Sequence, residues 1–304
     1  MNNIQPFWQN NVQTYVNDAR HVTTKDGHLK ITTTNDEMGP DGKPIYKSGM
    51  VTSWNNMCMQ GGGFLEFKMV LPGGGNMTDP PDLGYWGAGW LMGNLAKVNY
   101  MGSVDGKWPY STETCGNGAS GYTNDLSGQL LGNTCKERGL HPKYFGFNPS
   151  ERGRGAPEID IAETWIGSER RFTSQSYQVA PFGYKCKPDD DTTTNTGMKG
   201  VTICDNNGPK KGQTGDCYGS DRVQVNKWNG CADTDGAAGE GWQQAISVDS
   251  DIDQAAHSDN EGIVFGMEYV GGGIERGAYI QFYINHKKTW RMDASAIAFQ
   301  EGVN

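Results

Sequence analysis

The sequence predicts an all-β fold, an antiparallel sandwich or barrel, from three observations. Apolar and polar residues alternate with a period of two in several short windows, and sustained helical periodicity is nearly absent. The windows end at Gly, Pro, Asn or Asp, and 44 glycines in 304 residues are about twice the usual share of roughly 7%. Short strands separated by turns, with no regular helix between them, are typical of packed antiparallel sheets.

Three windows show the alternation most clearly. In a strand, side chains at positions i and i+2 share a face, so each window has one apolar face and one polar face. We therefore predict a strand in each window. Their apolar faces, in chain order, are Leu29 and Ile31; Leu65, Phe67, Met69 and Leu71; and Ile280, Phe282 and Ile284.

The composition excludes several classes of protein. The formal net charge is −9, from 26 Lys and Arg against 35 Asp and Glu, and no basic run exceeds two residues. Nucleic-acid binding depends on clustered cations that neutralise phosphates, so we expect no nucleic-acid partner. No run approaches the roughly 18–20 apolar residues that span a bilayer. No cysteine pair or nearby His has a zinc-binding spacing, so neither a metal site nor a cofactor is predicted.

Seven cysteines indicate an oxidising compartment. Asn76-Met77-Thr78 is an N-glycosylation sequon in a Gly/Pro-rich stretch, which makes Asn76 a candidate glycosylation site. Residues 1–10 contain no basic segment followed by an apolar one, so we expect either a removed export signal or a longer precursor. These features predict passage through the secretory pathway to the cell surface or the extracellular space.

The segment 186–240 differs in composition from the rest of the chain. It is rich in Asp, Asn, Gly and Lys, and almost free of aliphatic residues. Such a segment buries little apolar surface, so disulfides are its expected stabiliser. We interpret it as a cross-linked surface insertion in a single domain spanning 1–304. Its four cysteines permit three pairings, among which the sequence does not choose: Cys186, Cys204, Cys217 and Cys231.

The strongest functional signal is the run Glu158-Ile159-Asp160-Ile161-Ala162-Glu163. In a regular strand Glu158 and Asp160 share one face, and parity sends Glu163 to the other. A one-residue bulge near Ile161-Ala162 would return Glu163 to the first face. Three carboxylates on one face repel one another, but they suit glycoside hydrolysis. In that reaction one carboxylate attacks the anomeric carbon and another protonates the departing oxygen.

The alternative interpretation is an exposed acidic edge strand whose two isoleucines face the core. Two observations favour the catalytic interpretation. No Gly-x-Ser-x-Gly motif or paired His offers a competing constellation, and the chain is rich in tryptophan. Aromatic rings that could stack on pyranose rings are Trp86, Trp90, Trp108, Tyr110 and Trp165.

Further motifs accompany this acidic run. They include Ser48 to Asn55, Cys58, Trp90 to Asn94, Trp108 to Ser111, Cys115, Gly153 to Glu163, Ser174 to Ser176, Gln178 to Phe182 and Gln243 to Ala245. Together with Glu158-x-Asp160-x-x-Glu163, they resemble glycoside hydrolase family 16 in its bulged, β-1,3-glucanase-like form. Within it they resemble the fungal-type branch associated with β-1,6-glucan synthesis (the Kre/Skn group).

This resemblance implies a β-jelly roll of two curved antiparallel sheets, with a glycan cleft across the concave face. It implies that Glu158 is the nucleophile, that Glu163 is the general acid/base, and that Asp160 hydrogen-bonds the nucleophile. It also implies that Trp90 helps form the cleft floor; the alternative is that Trp90 is a core aromatic. It implies that Gln178 lies near the reacting sugar; the alternative is that Gln178 is an ordinary polar strand residue. The candidate substrate-binding residues are Trp86, Trp90, Trp108, Trp165 and Gln178.

The expected function is a retaining β-glucan hydrolase or transglycosylase, acting on β-1,3/β-1,6-glucan in wall or storage-polysaccharide remodelling. The alternative is a non-catalytic glycan-binding or extracellular scaffold protein on the same fold. The family's domain continues through further strands after the part that resembles Ile280 to Arg291, whereas this sequence ends at Asn304. We therefore expect the domain to be incomplete at that end. A neighbouring chain or a cleaved fragment of the same precursor would supply the remaining strands.

Overall fold

The computed structural model describes residues 13–53, 56–57, 59–71, 85–92, 158–166, 171–179, 190–205, 216–219, 221–226, 244–252 and 262–296. Within these ranges the regular structure is β-strand, with two short 3₁₀ turns and no helix that could cross a membrane. The strands are β1 (Gln13–Tyr15), β2 (Val22–Lys25), β3 (His28–Ile31), β4 (Thr34–Met38), β5 (Pro44–Ser48), β6 (Gly62–Met69), β7 (Gly87–Met92), β8 (Glu158–Ile166), β9 (Arg171–Val179), β10 (Val201–Ile203), β11 (Val223–Val225), β12 (Gln244–Asp251), β13 (Ile263–Val270), β14 (Tyr279–Ile284) and β15 (Lys287–Asp293).

Two five-stranded antiparallel sheets form the body of the described structure. Sheet I has the order β11-β12-β9-β8-β7, and sheet II has the order β10-β15-β14-β13-β6. Strands that are distant in sequence lie side by side in both sheets, as β6 and β13 do, which is typical of a jelly-roll-like sandwich. The all-β antiparallel fold predicted from the sequence is therefore confirmed.

The hydrophobic core lies between the two sheets. Sheet I contributes Ile161 and Ile246, and both are fully buried. Sheet II contributes Phe282 and Trp290, whose rings stack with centroids 4.6 Å apart. Residues from both sheets belong to one buried cluster, which shows that the sheets pack face to face.

The alternating windows form strands, but their burial differs. In β6 and β14 the predicted apolar residues face the core, as expected for a sheet with one covered face. In β3 the alternation also marks a strand, but Leu29 and Ile31 are 55% and 46% exposed. Among the described strands it pairs only with β2, and its two apolar side chains are left about half exposed.

A buried histidine organises the amino-terminal strands. The ring of His21 lies with Nδ1 2.7 Å from Asp18 Oδ1 and Nε2 3.0 Å from Thr34 Oγ1. The hydrogen bond from His21 lowers the pKa of Asp18. Both ring nitrogens therefore have polar partners, and His21 links the start of β2 to β4 as a structural residue.

The Cys-rich segment 186–240 contributes strands to both sheets, which differs from the surface insertion that its composition predicts. β10 pairs with β15 at one edge of sheet II, and β11 pairs with β12 at one edge of sheet I. Val201 and Val223 from these strands are buried in the core. An alternation of only three residues is enough to form a strand at a sheet edge, because the neighbouring strand supplies its hydrogen bonds.

A disulfide joins two of the four cysteines in this segment. Cys204 and Cys217 are bonded, which selects one pairing from those that the sequence leaves open. The backbone N–H of Cys204 donates to the Thr289 carbonyl, and Cys217 forms a bridge with Lys288. Both half-cystines therefore dock on β15, and the disulfide fastens the polar segment to sheet II.

Gly89 of β7 packs directly against a side chain of sheet II. A Cβ atom at this position would lie 2.2 Å from Cζ of Phe67, a ring on β6. Real Cβ atoms do not come so close, so the Phe67 ring occupies the space that any other residue would need. Gly89 pairs with Ala162 of β8, and this packing therefore seats β7 beside the acidic run.

We predict that Gly89→Ala destabilises the fold by about 1–3 kcal/mol, the usual range for overpacking a core. Chemical unfolding measures the change. The matched control is Gly266→Ala, a strand glycine whose added Cβ would lie no closer than 3.4 Å to another atom. Equal stability of the two variants would show that Phe67 does not constrain this position.

Candidate active site

The three predicted catalytic carboxylates lie on β8, an interior strand of sheet I. β8 has β9 on one side and β7 on the other, so it is not an edge strand. Glu158 and Asp160 are 3% and 1% exposed, and Glu163 is partly buried. The interpretation of this run as an exposed acidic edge is therefore wrong. Burying several carboxylates on an interior strand is costly, so a purely structural role does not explain them.

A one-residue bulge interrupts β8 at Ile161-Ala162, as predicted. On the β9 side, Asp160 pairs with Ser176 and Glu163 pairs with Ser174, so three steps on β8 match two on β9. On the β7 side, two steps on β8 match the single step from Gly89 to Trp90. The extra residue therefore belongs to β8, and both neighbouring strands pass it with a shift of register.

The bulge brings the three carboxylates to the same face of sheet I. Their partners on β9 are Gln178, Ser176 and Ser174, which follow one another in steps of two. Residues opposite one another in an antiparallel ladder share a face, so Glu158, Asp160 and Glu163 share the face of these partners.

A hydrogen-bonded serine cluster lies beside the carboxylates on this face. The hydroxyls of Ser174, Ser176 and Ser247 lie within 2.7–3.0 Å of one another, and the Asn226 amide donates to Ser247 Oγ at 3.0 Å. Ser176 is the cross-strand partner of Asp160. Small hydroxyl side chains, all of them buried, thus lie next to the acids on this face. Sequence reasoning noted Ser174 and Ser176 within a motif but gave them no role, because single serines carry no spacing signal.

Two of the candidate aromatic residues belong to the same site. The indole N–H of Trp86 donates to Glu163 Oε1 at 3.1 Å, and the Trp86 side chain is about half exposed. Trp90 is the cross-strand partner of Asp160 and is half-buried. Trp86 directly precedes β7 and contacts Glu163, whereas Trp90 lies on β7 beside Asp160.

The comparison with protein families identifies the chain. A family model described as "Beta-glucan synthesis-associated protein SKN1/KRE6/Sbg1" matches residues 4–217, which is more than half of the 304 residues. The chain belongs to this family. The predicted Kre/Skn branch is confirmed, whereas the wider resemblance to glycoside hydrolase family 16 rests on the acidic run and its bulge.

Curated relatives of the SKN1/KRE6/Sbg1 family are similar to this chain over about half of its length. "Beta-glucan synthesis-associated protein SKN1" of Candida albicans is 39% identical over 181 residues, which are 57% of this chain and 22% of that protein. KRE6 of the same organism is 37% identical over 186 residues, 57% of this chain and 23% of that protein. SKN1 of Saccharomyces cerevisiae is 40% identical over 156 residues, 48% and 18% respectively. The matched region is thus about a fifth of each relative. No solved structure matches the chain.

The remaining candidate residues are only partly described in this family member. Trp165 lies on β8 opposite Phe172, and Gln178 lies on β9 opposite Glu158, both by backbone pairing. Trp108 and Asn76 lie outside the described residues. Their roles in substrate binding and glycosylation therefore stay predictions.

We predict that the indole N–H resonance of Trp86 reports the ionisation of Glu163. A hydrogen bond to a charged carboxylate is stronger than one to its protonated form, so this resonance moves as pH is lowered. Two-dimensional NMR of protein with ¹⁵N-labelled tryptophan measures it, and Trp86→Phe assigns the signal.

Glu163→Gln is expected to remove this pH dependence. The control is Glu66→Gln, on the opposite sheet, which should leave it unchanged. A titration that persists in Glu163→Gln would contradict the contact between the two residues.

Proposed function

We propose that this chain is a retaining enzyme that cleaves or transfers β-glucan. The observation that carries the proposal is the bulge in β8, which gives Glu158, Asp160 and Glu163 one common, largely buried face. Structural strands gain nothing from three clustered acids, whereas retaining glycoside hydrolysis needs two carboxylates on one side of the scissile bond.

In the first step Glu158 attacks the anomeric carbon. The glycosidic C–O bond breaks as a bond forms between the anomeric carbon and a Glu158 carboxylate oxygen, and Glu163 gives its proton to the departing oxygen. In the second step water or a sugar hydroxyl attacks the same carbon. Glu163 takes the proton of the attacking group, and Glu158 leaves as a carboxylate. Water gives hydrolysis, and a sugar hydroxyl gives transfer.

The neighbours of the two acids support distinct roles. Asp160 lies between them on the same face of β8, where its proposed role is to hydrogen-bond Glu158. The indole N–H of Trp86 donates to Glu163 and orients its carboxyl. Retention requires carboxyl groups about 5–5.5 Å apart, so we expect the two glutamate side chains to lean toward each other.

Aromatic rings and small hydroxyls suit a sugar chain. Trp86 and Trp90 offer flat apolar faces beside the carboxylates, and the buried serine cluster lies next to the acids on the same face of sheet I. Trp108, Trp165 and Gln178 are proposed as further substrate contacts along the glucan.

The family supports the proposed substrate class. Its description and those of the relatives name association with beta-glucan synthesis, which supports a role in the cell wall. We propose β-1,3/β-1,6-glucan as the substrate, in remodelling of the wall or of a storage polysaccharide. The Cys204–Cys217 disulfide supports passage through the secretory pathway, with the protein at the cell surface or outside the cell.

Pairing with another chain is a further part of the proposal. Among the described strands, sheets I and II end at β7 and β6 on one side, and at three-residue strands on the other. Edge strands present backbone groups that can pair with another chain. Native mass spectrometry, with and without reduction, is expected to show a bound chain or precursor fragment. A single monomeric species would contradict this part.

We predict that the wild-type chain turns over a short β-1,3-glucan and that Glu158→Gln abolishes turnover while glucan binding remains. The amide keeps the shape of the carboxylate but cannot form the covalent intermediate. Sizing of the products distinguishes the outcomes, because products longer than the substrate indicate transfer and shorter ones alone indicate hydrolysis.

The matched control is Glu66→Gln, an acid-to-amide change on sheet II, which should leave turnover intact. A folded wild-type protein that binds glucan but turns over none would contradict the enzymatic proposal. That result would favour the glycan-binding or scaffold function instead.

A further inference from the structure

Gln175 is a buried polar residue between the two sheets. It lies on β9 between Ser174 and Ser176, so its side chain points to the opposite face from theirs, toward the core. It is fully buried, and a buried amide without partners would be strongly destabilising. Its hydrogen bonds therefore identify what it does.

The Gln175 amide uses both of its ends. Nε2 donates to the carbonyl oxygen of Ile161 at 3.0 Å and to that of Tyr283 at 3.3 Å. Oε1 accepts from Thr289 Oγ1 at 2.6 Å. One side chain of sheet I thus bonds a strand of its own sheet and two strands of sheet II.

The Ile161 carbonyl is a special acceptor because of where it lies. Ile161 is the residue of β8 that has no Cα partner on either β7 or β9. The extra residue of a bulge loses its place in the ladder, and its backbone groups need another partner. Gln175 supplies the donor for this carbonyl.

The sheet II end of the bridge also lies at an irregularity. The pairing of β14 with β15 shifts between Gln281 and Tyr283, where two steps on β14 match three on β15. Thr289 lies in this stretch of β15 and has no Cα partner on β14. Gln175 therefore connects the bulge in β8 to a second one across the core.

We propose that Gln175 is a positioning residue that fixes the β8 bulge and so keeps Glu163 on the same face as Glu158. Without the extra residue, strand parity would turn Glu163 toward the apolar core. Because Gln175 is anchored on Tyr283 and Thr289, the packing of the two sheets holds this register. The catalytic consequence rests on the proposed function, but the positioning does not.

The test compares Gln175→Leu with Gln281→Leu. Gln281 is also a buried amide at the sheet II irregularity, but its two bonds, to the Phe282 and Trp290 carbonyls, stay within sheet II and do not reach β8. Both variants lose a buried amide that bonds two carbonyls. Only Gln175→Leu is expected to change the Trp86 indole resonance, which should lose its pH dependence and approach the Glu163→Gln spectrum.

Activity gives the second readout. We expect kcat on a short β-1,3-glucan to fall about 10²-fold in Gln175→Leu, the scale of a small displacement of a reacting group. KM should change far less, and Gln281→Leu should keep the wild-type kcat. If the wild-type protein turns over no glucan, the proposed function fails, and the indole resonance still decides the role of Gln175.

Thr289→Val keeps the test decisive if Gln175→Leu does not fold. Valine matches threonine in shape but removes the hydroxyl that orients the Gln175 amide. We expect the same change of the Trp86 resonance, of smaller size. A folded Gln175→Leu with the wild-type titration and kcat would overturn the proposal. So would a wild-type titration in Thr289→Val when Gln175→Leu is unfolded.

Discussion

One extra residue in β8 is the constraint on which the candidate site depends. A strand alternates its side chains with a period of two, so acids at positions 158, 160 and 163 cannot share a face of a regular strand. The bulge at Ile161 adds one residue between the second and third acid and restores the common face. The interior position of β8 makes this costly, because two neighbouring strands must pass the irregularity without losing their own pairing.

The surrounding structure accommodates the bulge from both sides. On the core side, the Gln175 amide bonds the Ile161 carbonyl and fastens it to sheet II. At the β7 side, Gly89 lies against the Phe67 ring and brings the β7 backbone close to sheet II. On the opposite face of sheet I, the carboxylates lie beside the serine cluster and Trp90. The same two sheets that build the core thus position the strand that carries the acidic residues.

The strands of the three alternating windows, the bulge in the acidic run and the family could be predicted from the sequence, because each follows from local periodicity or from a contiguous motif. Burial could not always be predicted, as Leu29 and Ile31 show: their alternation is real, but their side chains are left about half exposed. In the segment 186–240 the polar composition hid two strands. Edge strands need few apolar residues, so composition alone did not indicate them. The roles of Gln175 and Ser247 could not be predicted from the sequence, because they depend on contacts with residues far away in the chain.

In the proposed reaction Glu158 and Glu163 act as a retaining pair on one face of β8. The stereochemistry of the first product tests it most directly, because two displacements at the anomeric carbon restore its configuration and one displacement inverts it. Proton NMR of a short β-1,3-glucan during the first minutes of turnover should show a β-configured product. Hydrolysis gives the β-anomer of the new reducing end before it mutarotates, and transfer gives a new β-linkage. Initial formation of an α-configured product would contradict a retaining pair.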